Sequence, residues 1–220
     1  MDSATPDRHL DIGKATLSPR AAATRERILN AALVEFAAHG LAGARVDEIA
    51  ARAGANKRML YAHFGAKEEL WLAVLEAAYA AKRAAEERLD VAHLPPAEAM
   101  ARLVSFNLRY TARHPEFVAL LNQENVHHAA HLRRSAHVPA LYSPLPGRLR
   151  DVLTRGAAEG IFRPDVDPLQ FYLSIVALGH FTAANRHTLS TIFGADLGSE
   201  AALDAREAHA IAFVLGYLRP

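Results

Sequence analysis

The chain has 220 residues and a mass of 23.9 kDa, between one and two average domains and long enough to bury a core without a disulfide or metal staple. It has no cysteine, which excludes a disulfide framework, a thiolate nucleophile and every cysteine-based metal site, and makes a reducing cytosol the expected compartment. Lys+Arg 25 against Asp+Glu 24 leaves a net charge of +1, so the chain is neither a basic nucleic-acid coat nor an acidic tail. A hydrophobic content of 51% with only 7% aromatic residues, alanine filling the difference, favours packed helices over sheets. Twelve histidines are the one compositional oddity.

Residues 1–18 alternate charge, polar residues and proline without an apolar run, which predicts a flexible arm and no secretory signal. Ser18-Pro19 is a cap followed by a first-turn proline, and Ile28, Leu29, Ala32, Leu33 and Phe36 then recur at helical spacing until Gly40. Val46, Ile49, Ala50 and Ala53 make a short second helix stopped by Gly54. Asn56 caps a third, on which Met59, Leu60 and Phe64 can face inward. From Lys67 to about Leu89 runs one long helix with Leu70, Trp71, Val74, Leu75 and Ala78 on a face. Pro95-Pro96 restarts a helix to His114, and Pro115 opens another to about His128. A stretch broken by Pro139, Pro144 and Pro146 then leads into a helix ending at Gly160. Asp167-Pro168 opens a helix predicted over 168–189, and Ser199 opens the last, over 199–218. No strand pattern competes, and no window approaches the roughly 18 apolar residues of a membrane span, so a soluble, cytoplasmic, all-α protein is expected.

Charge divides the chain. Residues 20–67 hold eight basic and four acidic side chains, whereas the part beyond 67 is slightly acidic. That asymmetry suggests an anion-binding head on a neutral body. Two helices of about eight residues joined through Gly54 have the size and turn of a helix-turn-helix, whose second helix enters the major groove. On the third helix Lys57, Arg58, Tyr61 and His63 are left outside as phosphate or base-edge partners, and Lys67 begins the next helix, where backbone N–H groups favour phosphate. Taken alone, two short helices are equally compatible with a helical hairpin whose basic residues solvate a surface.

The run AGANKRMLYAHFGAKEEL, Ala53 to Leu70, resembles the signature of the TetR family of one-component transcription regulators, and the likeness extends back through VDEIA to cover about residues 22–75. The resemblance implies a three-helix DNA-binding domain over 19–66 and a larger helical effector-binding and dimerisation domain over 67–220. By position it makes Lys57, Arg58 and Met59, on the helix that Asn56 heads, the base-reading part; Tyr61, His63 and Lys67 would mostly hold phosphates. Where the family usually has a threonine pair before the second helix, this chain has Ala44-Arg45, so the cap is weakened and Arg45 becomes the candidate phosphate contact. The last two long helices resemble the family's dimer bundle. Ala205, Ala208, Ala212 and Gly216 would allow close approach, with Phe181, Phe213 and Tyr217 on the flanks.

A homodimer would read a pseudo-palindromic operator, with no cofactor needed. Polar residues set among apolar ones in the middle helices are the candidate effector contacts: Asn107, Arg109, Asn122, Asn125, His128, His180 and Asn185. Each marks either an internal hydrogen bond or a ligand contact. The expected effector is a small, partly polar organic molecule with an arginine or histidine meeting an acidic group. The rival class is a histidine-based metal protein, since His127 and His131 share a helix face with His128, His137, His180 and His187 nearby in sequence. It lacks any H-E-x-x-H or carboxylate–histidine ligand spacing, so no metal ligand is assigned.

Overall fold

Side-chain caps set where this chain enters several of its helices. In a computed structural model, which describes residues 18–142 and 145–220, the Ser18 hydroxyl accepts from the Ala21 N–H at 3.3 Å and Pro19 takes the first helical position. Asn56, Asp167 and Ser199 do the same for three later helices, accepting from Met59, Leu169 and Ala202 at 2.9, 2.8 and 3.2 Å. Apart from Ser18, the arm expected over 1–18 lies outside the described residues.

The elements are α1 (Pro19–Gly43), α2 (Val46–Arg52), α3 (Lys57–Phe64), α4 (Lys67–Glu87), α5 (Pro96–Arg113), α6 (Pro115–Val126), α7 (His137–Tyr142), α8 (Leu145–Ala158), α9 (Pro168–Ala184), α10 (Arg186–Phe193) and α11 (Glu200–Leu218), with a 3-10 turn at Leu132–Arg134. The described residues contain no strand. The regular run of α1 breaks at Gly40, whose φ of +64° puts it in the left-handed region, and the chain continues for one more turn to Gly43.

Three expectations change. Met59 is not turned inward: Leu60 and Phe64, four apart, occupy the buried face of α3, and Met59 is 37% exposed. The stretch around Pro139 is not simply broken. Pro139 sits in the first turn of α7, where its missing N–H has no intrahelical partner to lose, and the Ser135 hydroxyl accepts from the N–H groups of His137 and Val138. The helix expected over 168–189 is two helices, because Asn185 leaves helical geometry at φ −107°, ψ 10° and its side-chain amide donates to the Phe181 carbonyl at 2.9 Å.

Two apolar cores form. The first joins α1 to α4 through Ile28, Phe36, Ile49, Leu60, Leu70 and Trp71, with Leu120 reaching in from α6, and Phe36 meets Trp71 edge-on at 5.1 Å. The second joins α5, α8, α9 and α11 through Met100, Leu103, Val104, Val152, Phe171, Ile175 and Val214. Gly179 lets α9 cross α5 closely, since a Cβ there would lie 3.1 Å from the Leu108 Cα. Among the described residues no helix is long and apolar enough to cross a membrane.

Candidate DNA interface and effector region

The N-terminal core holds α2 and α3 at a tight turn in which Gly54 has φ +60°. Leu60 and Phe64 pin α3 to that core, so the opposite face is presented to solvent. Arg58, Met59 and Tyr61 are exposed there, and Arg58 makes no ion pair among the described residues. The Lys57 ammonium, half exposed, is tied back to Asp47 of α2 at 2.9 Å. Asn56 uses its side-chain oxygen on the α3 cap, leaving its amide N–H₂ for any further partner. His63 is half-buried beside the Phe64 ring, whose face Arg25 covers at 4.9 Å. Lys67 donates to the Ala42 carbonyl at 3.4 Å, bridging the start of α4 to the end of α1.

The missing threonine pair has a structural consequence. Arg45 makes no side-chain cap on α2; its backbone N–H instead donates to the buried Glu35 carboxylate at 3.1 Å. Its guanidinium is 71% exposed and only 3.7 Å-paired with Glu48. Arg45, just before α2, and Lys57, Arg58, Met59 and Tyr61 on α3 therefore stand outside the core, a set suited to phosphate and base-edge contacts.

The seven candidate effector residues do not converge. Asn107 is buried and donates to the Leu103 carbonyl at 3.1 Å, while its Oδ1 has no donor. Arg109 is held by the carboxylates of Asp204, Glu207 and Glu200, so the acidic groups it meets belong to α11; those bonds hold its pKa above the ordinary arginine value. Asn125 donates to the Leu121 carbonyl of its own helix, and His128 is exposed in a left-handed turn after α6. Asn185 closes α9. Only Asn122 lines the large cleft, about 900 Å³, that opens between α1, α5, α6, α9, α10 and α11. Arg113, His187 and Arg206 also line that cleft. His180 is not among its lining residues; burial first, and then the neighbouring Lys82 charge, push its pKa below the ordinary histidine value.

Sequence reasoning passed over two buried polar clusters. Glu124 of α6 accepts from the Trp71 indole at 2.9 Å, from the backbone N–H groups of His131 and Leu132 at 2.9 and 2.8 Å, and from His131 Nδ1 at 3.0 Å. A carboxylate offers no proton, so Nδ1 of His131 carries the hydrogen. Burial works to raise the Glu124 pKa, but these donors outweigh it and hold it below the ordinary value. His131 is thus occupied as a structural donor, and among the described residues no three His, Asp or Glu side chains are grouped to hold a metal. The second cluster, Lys82, Arg83 and Glu86, lies on the inner face of α4.

The surface of α9 and α11 is apolar where solvent would be expected. Leu169, Leu173, Phe181, Phe213 and Tyr217 are exposed, Phe181 by 59% and Phe213 by 58%, and Ala205, Ala208, Ala212 and Gly216 lie between them without large side chains.

A helix-turn-helix on a helical body of this size defines a DNA-binding transcription regulator. The chain matches the model of the N-terminal domain of bacterial regulatory proteins of the tetR family over residues 28–74, and that of the tetracyclin repressor-like C-terminal domain over residues 96–214. It is 41% identical over 179 residues to the HTH-type transcriptional repressor NicS of Pseudomonas putida, spanning 81% of this chain and 84% of that one. It is 38% identical over 148 residues to the repressor SCO4008 of Streptomyces coelicolor, 66% and 72% of the two chains. Among solved structures, the putative regulator SCO4942 of Streptomyces coelicolor superposes with a TM-score of 0.66 at 28% identity, covering 90% of this chain and 99% of that one. FadR of Bacillus subtilis, in complex with stearoyl-CoA, shares the fold with a TM-score of 0.64 at 16% identity, covering 88% and 99%. The chain belongs to the TetR family of transcriptional regulators.

Proposed function

We propose that the chain is a ligand-responsive repressor that works in the cytoplasm as a homodimer on a pseudo-palindromic operator. The observation that carries this reading is the solvent-facing set Arg58, Met59 and Tyr61 on α3, fixed by Leu60 and Phe64 to the same core that holds the start of α4. One head contacts too little DNA for specific affinity, and two heads about 34–36 Å apart read successive major grooves. The exposed apolar face of α9 and α11 supports the dimer, and the repressor names of two relatives support the direction of control.

Helix α4 supplies the coupling. Its first three turns, with Leu70, Trp71, Val74 and Leu75, belong to the head, and its last turns, with Lys82, Arg83 and Glu86, lie in the body. Twenty-one residues span about 32 Å, so a tilt at the body end changes the spacing of the heads. An effector acts only through its different affinity for the two tilts. The test is a fluorescence-anisotropy titration of DNA from upstream of the chain's own gene with wild type and Arg58→Ala. Tight, salt-sensitive binding lost in the variant is expected; equal binding by both removes α3 from the interface.

A further inference from the structure

The chain that leaves α6 stays against the head. Gln123, in the last turn of α6, lies over the end of α1, where a Cβ on Gly40 would meet its Oε1 at 2.9 Å. Arg134, eleven residues on, is ion-paired with Glu69 in the first turn of α4. Both landing points adjoin candidate phosphate contacts, since Gly40 is five positions before Arg45 and Glu69 is two after Lys67. The Lys67 ammonium donates to the Ala42 carbonyl at 3.4 Å, so the end of α1 and the start of α4 form one corner of the head. The turn that follows α6 is therefore pinned to that corner at both of its ends.

The turn is also fixed in shape. His128 and Ala129 are consecutive non-glycine residues in the left-handed region, at φ 55° and 57°, a conformation that persists only where the surroundings impose it. Glu124 imposes it: its carboxylate accepts from the N–H groups of His131 and Leu132, and its carbonyl accepts from the Ala129 N–H at 2.9 Å. That frame presents His127, His128 and Arg133, all exposed, and Arg133 has no ion pair among the described residues. His131 is occupied by Glu124 and the described residues offer no group of three metal ligands, which leaves His127 and His128 as N–H donors. Between Glu124 and Asp151 the sequence has four arginines and four histidines but no acidic residue, within a domain that is otherwise slightly acidic. A rigid, acid-free surface beside the head complements a phosphate backbone. We propose that this turn, residues 127–134, is a second DNA contact made by the body, with Arg133, His127 and His128 on phosphates next to those that Arg45 and Lys67 hold. It reads no base edges and adds affinity to every sequence alike. This rests on the chain being a DNA-binding regulator.

The experiment is a fluorescence-anisotropy titration of the full chain at several salt concentrations, on DNA from upstream of its own gene and on an unrelated fragment of equal length. The variants are Arg133→Gln alone and together with His127→Gln and His128→Asn, asparagine being chosen because it tolerates the left-handed turn. Arg88→Gln, an exposed arginine at the far end of α4, controls for net charge. Arg133→Gln is expected to lower the slope of log affinity against log salt by about one. The triple variant is expected to bind both fragments more weakly by the same factor, and Arg88→Gln to behave as wild type. A slope unchanged in Arg133→Gln, an equal drop in Arg88→Gln, or a triple variant that loses only the upstream fragment overturns the assignment. The single Arg133→Gln decides the matter even where the triple variant does not fold. A wild type that binds neither fragment contradicts the regulator reading itself, whereas a wild type that binds and variants that match it contradict the second contact alone.

Discussion

Glu124→Gln separates the four donors that one buried carboxylate satisfies. Oε1 accepts from the backbone N–H groups of His131 and Leu132, and Oε2 accepts from the Trp71 indole and His131 Nδ1. Glutamine has the same shape but only one acceptor oxygen, so either amide orientation points an N–H₂ at two of the donors. Two hydrogen bonds to a charged acceptor, each worth about 1.5–3 kcal/mol, are replaced by opposed donors, which gives an expected loss of about 3–6 kcal/mol. For a chain of this length that is roughly 6–24 °C in Tm. The chain has one tryptophan, so Trp71 fluorescence reports the site directly while far-UV circular dichroism follows the helices. The variant should show an altered Trp71 emission in the native state and a Tm lowered by that amount. A Tm within about 2 °C of wild type refutes the assignment of Glu124 as the clasp between α4, α6 and the turn after it. The low pKa of Glu124 adds a sign: its stabilisation is complete above the ordinary carboxylate value and is lost as the pH falls through the folded value, so the acid limb of the wild-type stability curve should flatten in the variant.

Arg58→Ala or Lys57→Ala should weaken operator binding by about 1–3 kcal/mol and relax base preference in anisotropy competition, whereas Lys67→Ala should weaken all DNA alike and lower the salt slope by about one; identical salt slopes contradict the phosphate role. Gly156→Ala drives a Cβ into the buried Phe162 ring and should cost about 1–3 kcal/mol in urea unfolding, with an unchanged midpoint showing that the ring is free to move. Phe213→Glu together with Phe181→Glu puts charge on the exposed α9–α11 face and should yield monomers in sedimentation velocity where wild type gives dimers; a dimeric variant moves the interface elsewhere. Burial lowers the Lys82 pKa to about 8 against an ordinary 10.5, so the unfolded chain binds more protons between those values and stability gains a rising contribution with pH there. Lys82→Met should remove that contribution, and parallel wild-type and variant curves from pH 8 to 10.5 would contradict the burial of this charge.

The head was legible because its signals are local. Ser18-Pro19, the Gly54 turn and the Asn56 cap each act within four residues, and the apolar spacing of Leu60 and Phe64 agrees with them. Where local and tertiary demands part, the sequence misleads. Pro139 reads as a breaker, yet first-turn geometry and the Ser135 cap give it a helix. Arg109 reads as a ligand contact among apolar neighbours, yet its partners are acids on α11, about ninety-five positions away. The run containing Lys82, Arg83 and Glu86 has the composition of a solvated helix face, and only its register shows otherwise. Trp71, Leu75, Tyr79, Lys82 and Glu86 recur at spacings of four, four, three and four, which continues the buried stripe of α4 into charged residues. Glu124 carries no comparable signal, because its donors come from α4 and from a turn whose geometry no periodicity encodes.

The most direct test of α3 as the reading head is hydroxyl-radical footprinting of the full chain on the DNA upstream of its own gene. The expected pattern is two protected half-sites, centred about one helical turn apart or a multiple of it, both lost with Arg58→Ala. A fragment left unprotected, or a footprint that Arg58→Ala leaves intact, would contradict it.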